Sequence, residues 1–420
     1  MLVAELDALA AVAHVEQVQK LSIINFLYAS LSADKLAALA PVKPEPDSVT
    51  ESESALKTVL LDARSILGPF SADMMEATVS WLDQGIKKVL VAAESIDEVA
   101  LEKVATAVSE LPASRVVLRI PVDVSALVAA ESDFAAQLQS KIKRLAESAS
   151  GVVLALQSQS SGLETASSEN GEYALLFKAL QVVRKGLDEG FFFAVEWVAA
   201  KQETFDRSLL VSCIAELHHK GIHVVAPALS VVVDEAQRTQ FVDAGRTFVK
   251  CLRSDRPDGL FTTVVADEGG VALGLVYSSK ESVLAAIESG RGVYYSRSRQ
   301  GLWKKGESSG NFQALVQLDV DCDSDALRFT VEQTGAGFCH LNTRTCWGEA
   351  SGLQHLQSML ISRLADAPEG SYTKRLFNDP VLLRNKLNFL DKRALKVKRR
   401  PGNSKAYRID AAAEILKKKD

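Results

Sequence analysis

The sequence lacks an apolar run long enough to span a bilayer, and it does not begin with the basic and then apolar residues of a signal peptide. It also lacks a surplus of positive charge: its 420 residues include 48 Lys and Arg against 53 Asp and Glu, a formal net charge of −5. This balance gives no reason to expect a nucleic-acid partner. We therefore expect a cytoplasmic protein that binds neither membrane nor nucleic acid.

Cysteine is also scarce, with five residues in the chain, and in a reducing compartment clustered cysteines indicate metal binding or catalysis more than disulfides. Cys213 and Cys251 stand apart in apolar surroundings and are predicted to be small core residues. The other three, Cys322, Cys339 and Cys346, lie close together in the sequence and are the candidates for metal binding.

Residues 1–250 alternate short apolar segments rich in Val and Phe with segments of helical periodicity. This pattern predicts an α/β domain around a parallel sheet, open or barrel-like. The Pro- and Glu-rich stretch 41–54 is predicted to be a loop or linker. No glycine-rich phosphate loop follows a strand here. His218, His219 and His223 are explained more simply by a helix that ends before a strand than by a metal site, so the role of this region stays open.

The pattern changes to α+β in residues 251–350. Two predicted strands meet at a tight turn, Asp267–Gly270, and a helix follows that begins after Ser278 or Ser279 and stops at Gly290. The loop SRSRQGLWKKGESSGN then combines basic, hydroxyl and glycine residues. Such residues suit phosphate binding, because guanidinium donates two parallel hydrogen bonds and glycine permits close approach. A solvated basic loop explains the same composition equally well.

The stretch DVDCDSD, residues 319–325, places four carboxylates around one thiol. If it is extended, side-chain alternation puts Asp321, Asp323 and Asp325 on one face and Cys322 on the other. Crowded carboxylates suit a hard cation such as Mg²⁺, whereas a thiolate suits Zn²⁺. The stretch is therefore predicted to serve two metals, with a solvated acidic turn as the alternative for the aspartates.

Partners for Cys322 occur in FCHLNTRTCW, where Cys339 and Cys346 are seven positions apart and His340 follows the first. Three thiolates with a water would make an open, catalytic zinc site. Three thiolates with His340 would make a closed, structural one.

Three motifs in order, GRGVYYSRSRQGLWKKGESSGN, DVDCDSDAL and GFCHLNTRTCWGE, strongly resemble phosphoribosyl-AMP cyclohydrolase of histidine biosynthesis over about residues 255–350. The resemblance implies hydrolysis of the N1–C6 bond of phosphoribosyl-AMP by a Zn²⁺- and Mg²⁺-dependent homodimer whose zinc ligands come from both subunits. It implies zinc ligands at Cys322, Cys339 and Cys346 and magnesium ligands at Asp321, Asp323 and Asp325. His340 is then expected to transfer a proton or to support the zinc ligands, and not to be a fourth ligand. The implied substrate-binding residues are Arg297, Arg299, Trp303, Lys305, Glu307 and Ser309.

The arrangement resembles that of the fungal multifunctional histidine-biosynthesis proteins, in which an α/β region precedes the cyclohydrolase. Residues 351–420 resemble the first helices and the basic end of a phosphoribosyl-ATP pyrophosphohydrolase without the acidic helices between them. We therefore expect a short helical remnant that lacks pyrophosphohydrolase activity. Two alternatives remain: a bifunctional enzyme that keeps this activity, and a catalytically inactive subunit that pairs with a full-length homologue.

Overall fold

A computed structural model describes most of the chain up to residue 347. The described residues are 2–7, 15–24, 26–30, 61, 64–129, 133–157, 172–197, 207–227, 231–232, 242–335, 337–341 and 343–347. The predicted linker 41–54 and the predicted helical remnant 351–420 lie outside them. The chain divides into two compact units. The first comprises Met1–Asp255 with Val283–Ser289 and Cys322–Asp325, and the second comprises the remaining residues.

In the described part of the first unit, eight parallel strands close into a barrel, since β1 pairs with β8 as well as with β2. The strands are Leu2–Asp7 (β1), Phe26–Ser30 (β2), Ser65–Phe70 (β3), Lys88–Ala92 (β4), Val116–Asp123 (β5), Gly151–Gln157 (β6), Phe192–Trp197 (β7) and His223–Pro227 (β8). The helices of this region are Val15–Ile24 (α1), Met75–Asp83 (α2), Glu98–Ala107 (α3), Val124–Val128 (α4), Phe134–Leu145 (α5), Glu172–Arg184 (α6), Arg207–His218 (α7) and Ala244–Cys251 (α8). Two short strands, Val231–Val232 (β9) and Val242–Asp243 (β10), pair with each other. The predicted parallel α/β region is confirmed, in its barrel-like form.

The barrel closes around a layer of apolar side chains contributed by all eight strands, among them Val117 on β5 and Val153 on β6. Strands buried on both faces explain the continuous Val-rich runs of the sequence. One charged pair lies among them: Arg119 Nε donates to Glu196 Oε2 at 2.6 Å, and the Glu196 side chain is 2% exposed. Cys213 and Cys251 are both buried, as predicted.

The second unit is built on a mixed sheet of six strands in the order β14-β13-β12-β11-β16-β15, counted over the described residues. The strands are Phe261–Asp267 (β11), Ala272–Ser278 (β12), Val293–Ser296 (β13), Gly301–Lys304 (β14), Gln313–Val320 (β15) and Ala326–Gln333 (β16). β11 and β16 run parallel and the other neighbours run antiparallel. This agrees with the predicted α+β pattern.

Local signals in the sequence set the ends of the elements in this region. Gly270 donates to the Asp267 carbonyl at 2.9 Å and has φ 78°, which forms the predicted turn between β11 and β12. Ser279 caps the helix Lys280–Ser289 (α9), because its hydroxyl accepts from the Ser282 N–H at 3.2 Å. Gly290, with φ 63°, ends that helix. None of the helices in the described part of the chain has the length and apolar character needed to cross a membrane.

Candidate metal centre and substrate cavity

The acidic residues of DVDCDSD form a turn between β15 and β16. The Asp321 N–H donates to the Ala326 carbonyl, and the Ala326 N–H donates to Asp321 Oδ1, each at 3.1 Å. Carboxylate oxygens of Asp321, Asp323 and Asp325 all lie within 4.8 Å of one another. The predicted clustering of the three acids is confirmed, but the extended conformation assumed for it is wrong. The chain reverses direction here, so a turn, and not strand alternation, brings the acids together.

Ser324 fixes the conformation of this turn. It is 3% exposed and has φ 73°, in the left-handed region that few side chains adopt. Within the first unit, its carbonyl accepts from the Arg253 N–H at 2.9 Å, and its hydroxyl lies 2.9 Å from Nε2 of His218 at the end of α7. Burial lowers the pKa of His218 to about 3, so this imidazole is neutral at physiological pH.

The histidines of ELHHKGIHVV follow the simpler explanation. Helix α7 ends at His218, Gly221 has φ 70°, and β8 begins at His223. The His223 ring stacks on Phe192 with centroids 4.9 Å apart. In the described residues these histidines do not form a group of three ligands.

Cys339 and Cys346 form a thiol pair that follows β16. The Cys339 N–H donates to the Thr343 carbonyl at 3.1 Å, and the Cys346 N–H donates to the Leu273 carbonyl of β12 at 2.8 Å. These bonds fold the segment between the cysteines back on itself and attach its end to the sheet. The result is two sulfur donors on one loop, and sulfur is a ligand type that zinc favours.

The two thiols of the pair differ in acidity. Hydrogen bonds from the Leu341 N–H and the Thr343 side chain lower the pKa of Cys339. Burial, followed by the charge of Cys339, raises the pKa of Cys346. Cys339 is therefore the thiol that ionises first, as metal binding requires.

The third cysteine, Cys322, belongs to the acidic turn. Cys322 is exposed on the acidic turn, with its sulfur 4.0 Å from Asp323 Oδ1. Among the described residues, the three aspartates are the one group of three or more acidic, histidine or cysteine ligands. Of the three predicted zinc ligands, Cys339 and Cys346 lie together in the second unit, and Cys322 belongs to the first. His340 is exposed, with Nδ1 3.9 Å from the Cys339 sulfur.

A cavity of about 580 Å³ lies beside β12, β13 and β14. Its lining residues are Val276, Tyr277, Tyr295, Ser296, Arg297, Ser298 and Trp303. Of the six predicted substrate-binding residues, Arg297 and Trp303 line it. The cavity therefore combines a guanidinium, hydroxyls and aromatic rings, which suit a phosphorylated compound that carries a flat ring.

The other predicted substrate-binding residues lie outside the lining of this cavity. Lys305 is 8% exposed, with Nζ 5.2 Å from the Phe338 ring centroid, and it is close enough to the thiol pair for their charges to affect its pKa. Burial is the larger effect and lowers that pKa. Arg299, Glu307 and Ser309 are exposed on the turns at either end of β14.

Several residues that shape the site were not indicated by the sequence motifs. Gly274 on β12 leaves room for the thiol pair, since a Cβ atom there would lie 3.1 Å from the Cys346 sulfur and would overlap the Phe338 ring. Arg344, between the two cysteines, donates to the buried carboxylate of Asp267. Two sequence features could have indicated these residues: a glycine within a predicted strand, and an arginine between two candidate zinc ligands. Tyr277, which lines the cavity, was also missed.

Comparison with known proteins identifies one segment of the chain. The sequence profile of phosphoribosyl-AMP cyclohydrolase matches residues 274–348, which include the cavity, the acidic turn and the thiol pair. The resemblance inferred from the three motifs is therefore confirmed: this segment is similar throughout to that family.

Relatives extend the similarity to multifunctional proteins. The chain is 54% identical over 170 residues to the histidine biosynthesis bifunctional protein of Schizosaccharomyces pombe, an alignment that covers 40% of each chain. It is 61% identical over 137 residues to the histidine biosynthesis trifunctional protein of Saccharomyces cerevisiae, covering 32% of this chain and 17% of that protein. A bifunctional protein of the same pathway from Bacteroides thetaiotaomicron is 36% identical over 136 residues, covering 31% of this chain and 66% of the relative. The chain thus matches less than half the length of these fungal relatives.

Proposed function

We propose that the protein hydrolyses the N1–C6 bond of the purine ring of phosphoribosyl-AMP in histidine biosynthesis. The observation that carries this proposal is the loop that holds Cys339 beside Cys346, within the segment that matches the cyclohydrolase family. In the reaction, the oxygen of water bonds to C6, the N1–C6 bond breaks and the departing nitrogen takes up a proton. The adenine ring thereby opens to a formimino carboxamide.

The donor atoms fit the two metals that the family implies. Cys339 and Cys346 would hold zinc, and Asp321, Asp323 and Asp325 would hold magnesium. When bound, zinc lowers the pKa of water toward neutrality, and magnesium neutralises phosphate charge.

The remaining steps belong to side chains of this chain. Arg297 binds a phosphate group, and Trp303 packs against the adenine ring within the cavity. His340, exposed beside Cys339, transfers the proton to the departing ring nitrogen. Lys305 lies against Phe338 near the thiol pair and stabilises negative charge that develops there.

A homodimer completes this proposal, with Cys322 supplied to the thiol pair by a second copy of the chain. The exposure of Cys322 supports it, since an exposed thiol is accessible to a second chain. All five cysteines are free, which suits a reducing compartment such as the cytoplasm.

The test is turnover by the purified full chain. With Zn²⁺ and Mg²⁺ present, it should convert phosphoribosyl-AMP to the formimino carboxamide and leave phosphoribosyl-ATP intact. Turnover of phosphoribosyl-ATP would favour the bifunctional alternative. A metal-loaded dimer without turnover of either compound would favour the inactive subunit.

A further inference from the structure

Two guanidinium groups lie over the ring of Tyr277. Cζ of Arg297 is 4.0 Å from the ring centroid, and Cζ of Arg256 is 4.8 Å from it. Both distances are within the range of a cation–π contact. Arg256 precedes the segment that matches the cyclohydrolase family, whereas Tyr277 and Arg297 are part of it.

The two arginines differ in what balances their charge. Arg256 donates from Nε and Nη2 to the two carboxylate oxygens of Asp258, at 3.0 and 2.8 Å. Asp258 also accepts from the Leu260 N–H at 3.2 Å, which fixes this ion pair to the start of β11. Arg297 makes no such pair within the described residues, where its contact is the Tyr277 ring. The uncompensated positive charge therefore belongs to Arg297.

That charge faces the cavity. Arg297 lines it with the hydroxyls of Ser296 and Ser298, which lie 3.3 Å apart, and with the Trp303 ring. An exposed arginine side chain ordinarily samples many rotamers, so an aromatic surface that holds the guanidinium lowers the entropy cost of binding an anion. The guanidinium and the two hydroxyls form a donor set for phosphate oxygens.

We infer that Tyr277 positions the guanidinium of Arg297 to bind the phosphate monoester of a nucleotide in this cavity. Arg256 and Asp258 hold the Tyr277 ring in place. The inference rests on the proposed function for the identity of the nucleotide, and it adds three residues that the sequence motifs did not indicate.

The experiment measures binding of adenosine 5′-monophosphate and of adenosine to the full chain by calorimetry, in low and high salt. Arg297→Met should weaken binding of the monophosphate roughly tenfold or more, through loss of charge-assisted hydrogen bonds. Tyr277→Leu should weaken it roughly three- to tenfold, whereas Tyr277→Phe, which keeps the ring, should bind like the wild type. Adenosine should bind all variants alike, and the salt dependence should be smaller for Arg297→Met.

Phe312→Leu is a matched control, because it removes the ring beneath Arg291, another arginine–aromatic contact of the second unit that does not line the cavity. It should leave binding of the monophosphate unchanged. Tyr277→Leu should also raise KM for phosphoribosyl-AMP more than it lowers kcat, and Tyr277→Phe should restore both. Wild-type affinity of Tyr277→Leu for the monophosphate, or an equal loss for adenosine, would overturn the inference.

Binding and turnover separate this inference from the proposed function. If the chain does not hydrolyse phosphoribosyl-AMP but binding of the monophosphate depends on Arg297 and Tyr277, the proposed function fails and the inference stands. If turnover is normal and Tyr277→Leu binds the monophosphate like the wild type, the inference fails and the proposed function stands.

Discussion

The N–H of Cys346 donates to the carbonyl of Leu273 at 2.8 Å, so the second thiol of the pair is attached to strand β12 immediately before Gly274. The Cys346 sulfur and the Phe338 ring occupy the space that a side chain at position 274 would need. Strand β12 thereby fixes the position of the thiol pair.

Gly274→Ala should displace the thiol pair from the sheet. Its Cβ would meet the Phe338 ring and the Cys346 sulfur, so we expect a loss of roughly 1–3 kcal/mol in the free energy of unfolding and weaker zinc retention. Gly301→Ala is the matched control, since the nearest atom to its Cβ, the Arg299 carbonyl oxygen, is 3.8 Å away. The free energy of unfolding, from denaturant titration, and the zinc content should be compared between the two variants. Equal behaviour of the two would contradict the fit described for Gly274.

Asp323→Asn should weaken Mg²⁺ binding roughly tenfold or more, because it removes one charged oxygen ligand from the acidic turn. Asp319→Asn is the control within the same stretch. Asp319 accepts from Arg328 at 2.7 and 3.0 Å and from the Gln317 amide, which gives it a structural role on β15. Mg²⁺ titration should show an effect for Asp323→Asn alone. A comparable loss of affinity in both variants would mean that the whole stretch attracts the ion by its net charge.

The buried imidazole of His218 should make stability depend on pH. Its pKa is about 3 in the folded chain, with burial as the main cause and His219 and Arg253 adding to it, whereas an unfolded histidine titrates near 6.5. Below about pH 6.5 the unfolded chain therefore binds the additional proton, and the free energy of unfolding falls by at most roughly 1.4 kcal/mol per pH unit as pH decreases toward 3.

His218→Gln removes this titration while keeping a side chain that can hydrogen-bond to Ser324. Denaturant unfolding at pH 7 and pH 5 should show a smaller difference for this variant than for the wild type. His340→Gln, at an exposed histidine, should keep the wild-type difference. If all three proteins lose the same stability between the two pH values, His218 is not the group responsible.

Mixed dimers should reveal whether Cys322 acts in the second subunit. Cys322→Ser and Cys346→Ser should each be inactive alone. In a mixed dimer, one site would combine the intact Cys322 of one chain with the intact thiol pair of the other. Random exchange should therefore restore roughly a quarter of wild-type turnover, since half of the dimers are mixed and each has one complete site. No recovery after exchange would place all three ligands in one chain.

The sequence predicted the elements that carry strong local signals. The Val-rich runs predicted strands β4 to β8. Ser279 marked the start of helix α9, Gly290 its end, and Gly270 the turn between β11 and β12. It did not decide between an open sheet and a barrel. Closure depends on the pairing of Leu2–Asp7 with β8, more than 200 residues away. The sequence of that strand, LVAELD, has a pattern of apolar and acidic residues that is equally compatible with a helix.

The candidate site was likewise predicted only where its residues carry a local signal. The aspartates and the thiols could be identified from the sequence, because candidate metal ligands that are closely spaced along the chain are a local signal. Tyr277 and Arg256 could not be found in this way, since their contact joins a strand to a loop that precedes β11. The turn conformation of residues 321–325 also depends on distant residues, His218 and Arg253.

The proposed function is tested most directly by turnover of phosphoribosyl-AMP measured together with zinc content, for the full wild-type chain, Cys339→Ser and Cys213→Ala. Cys213 is buried, and burial raises the pKa of its thiol to about 12, so it serves as the control cysteine. The wild type and Cys213→Ala should retain zinc and form the formimino carboxamide, and Cys339→Ser should lose both. A zinc-loaded wild-type chain without turnover, or a Cys339→Ser variant that keeps zinc and activity, would contradict the proposed function.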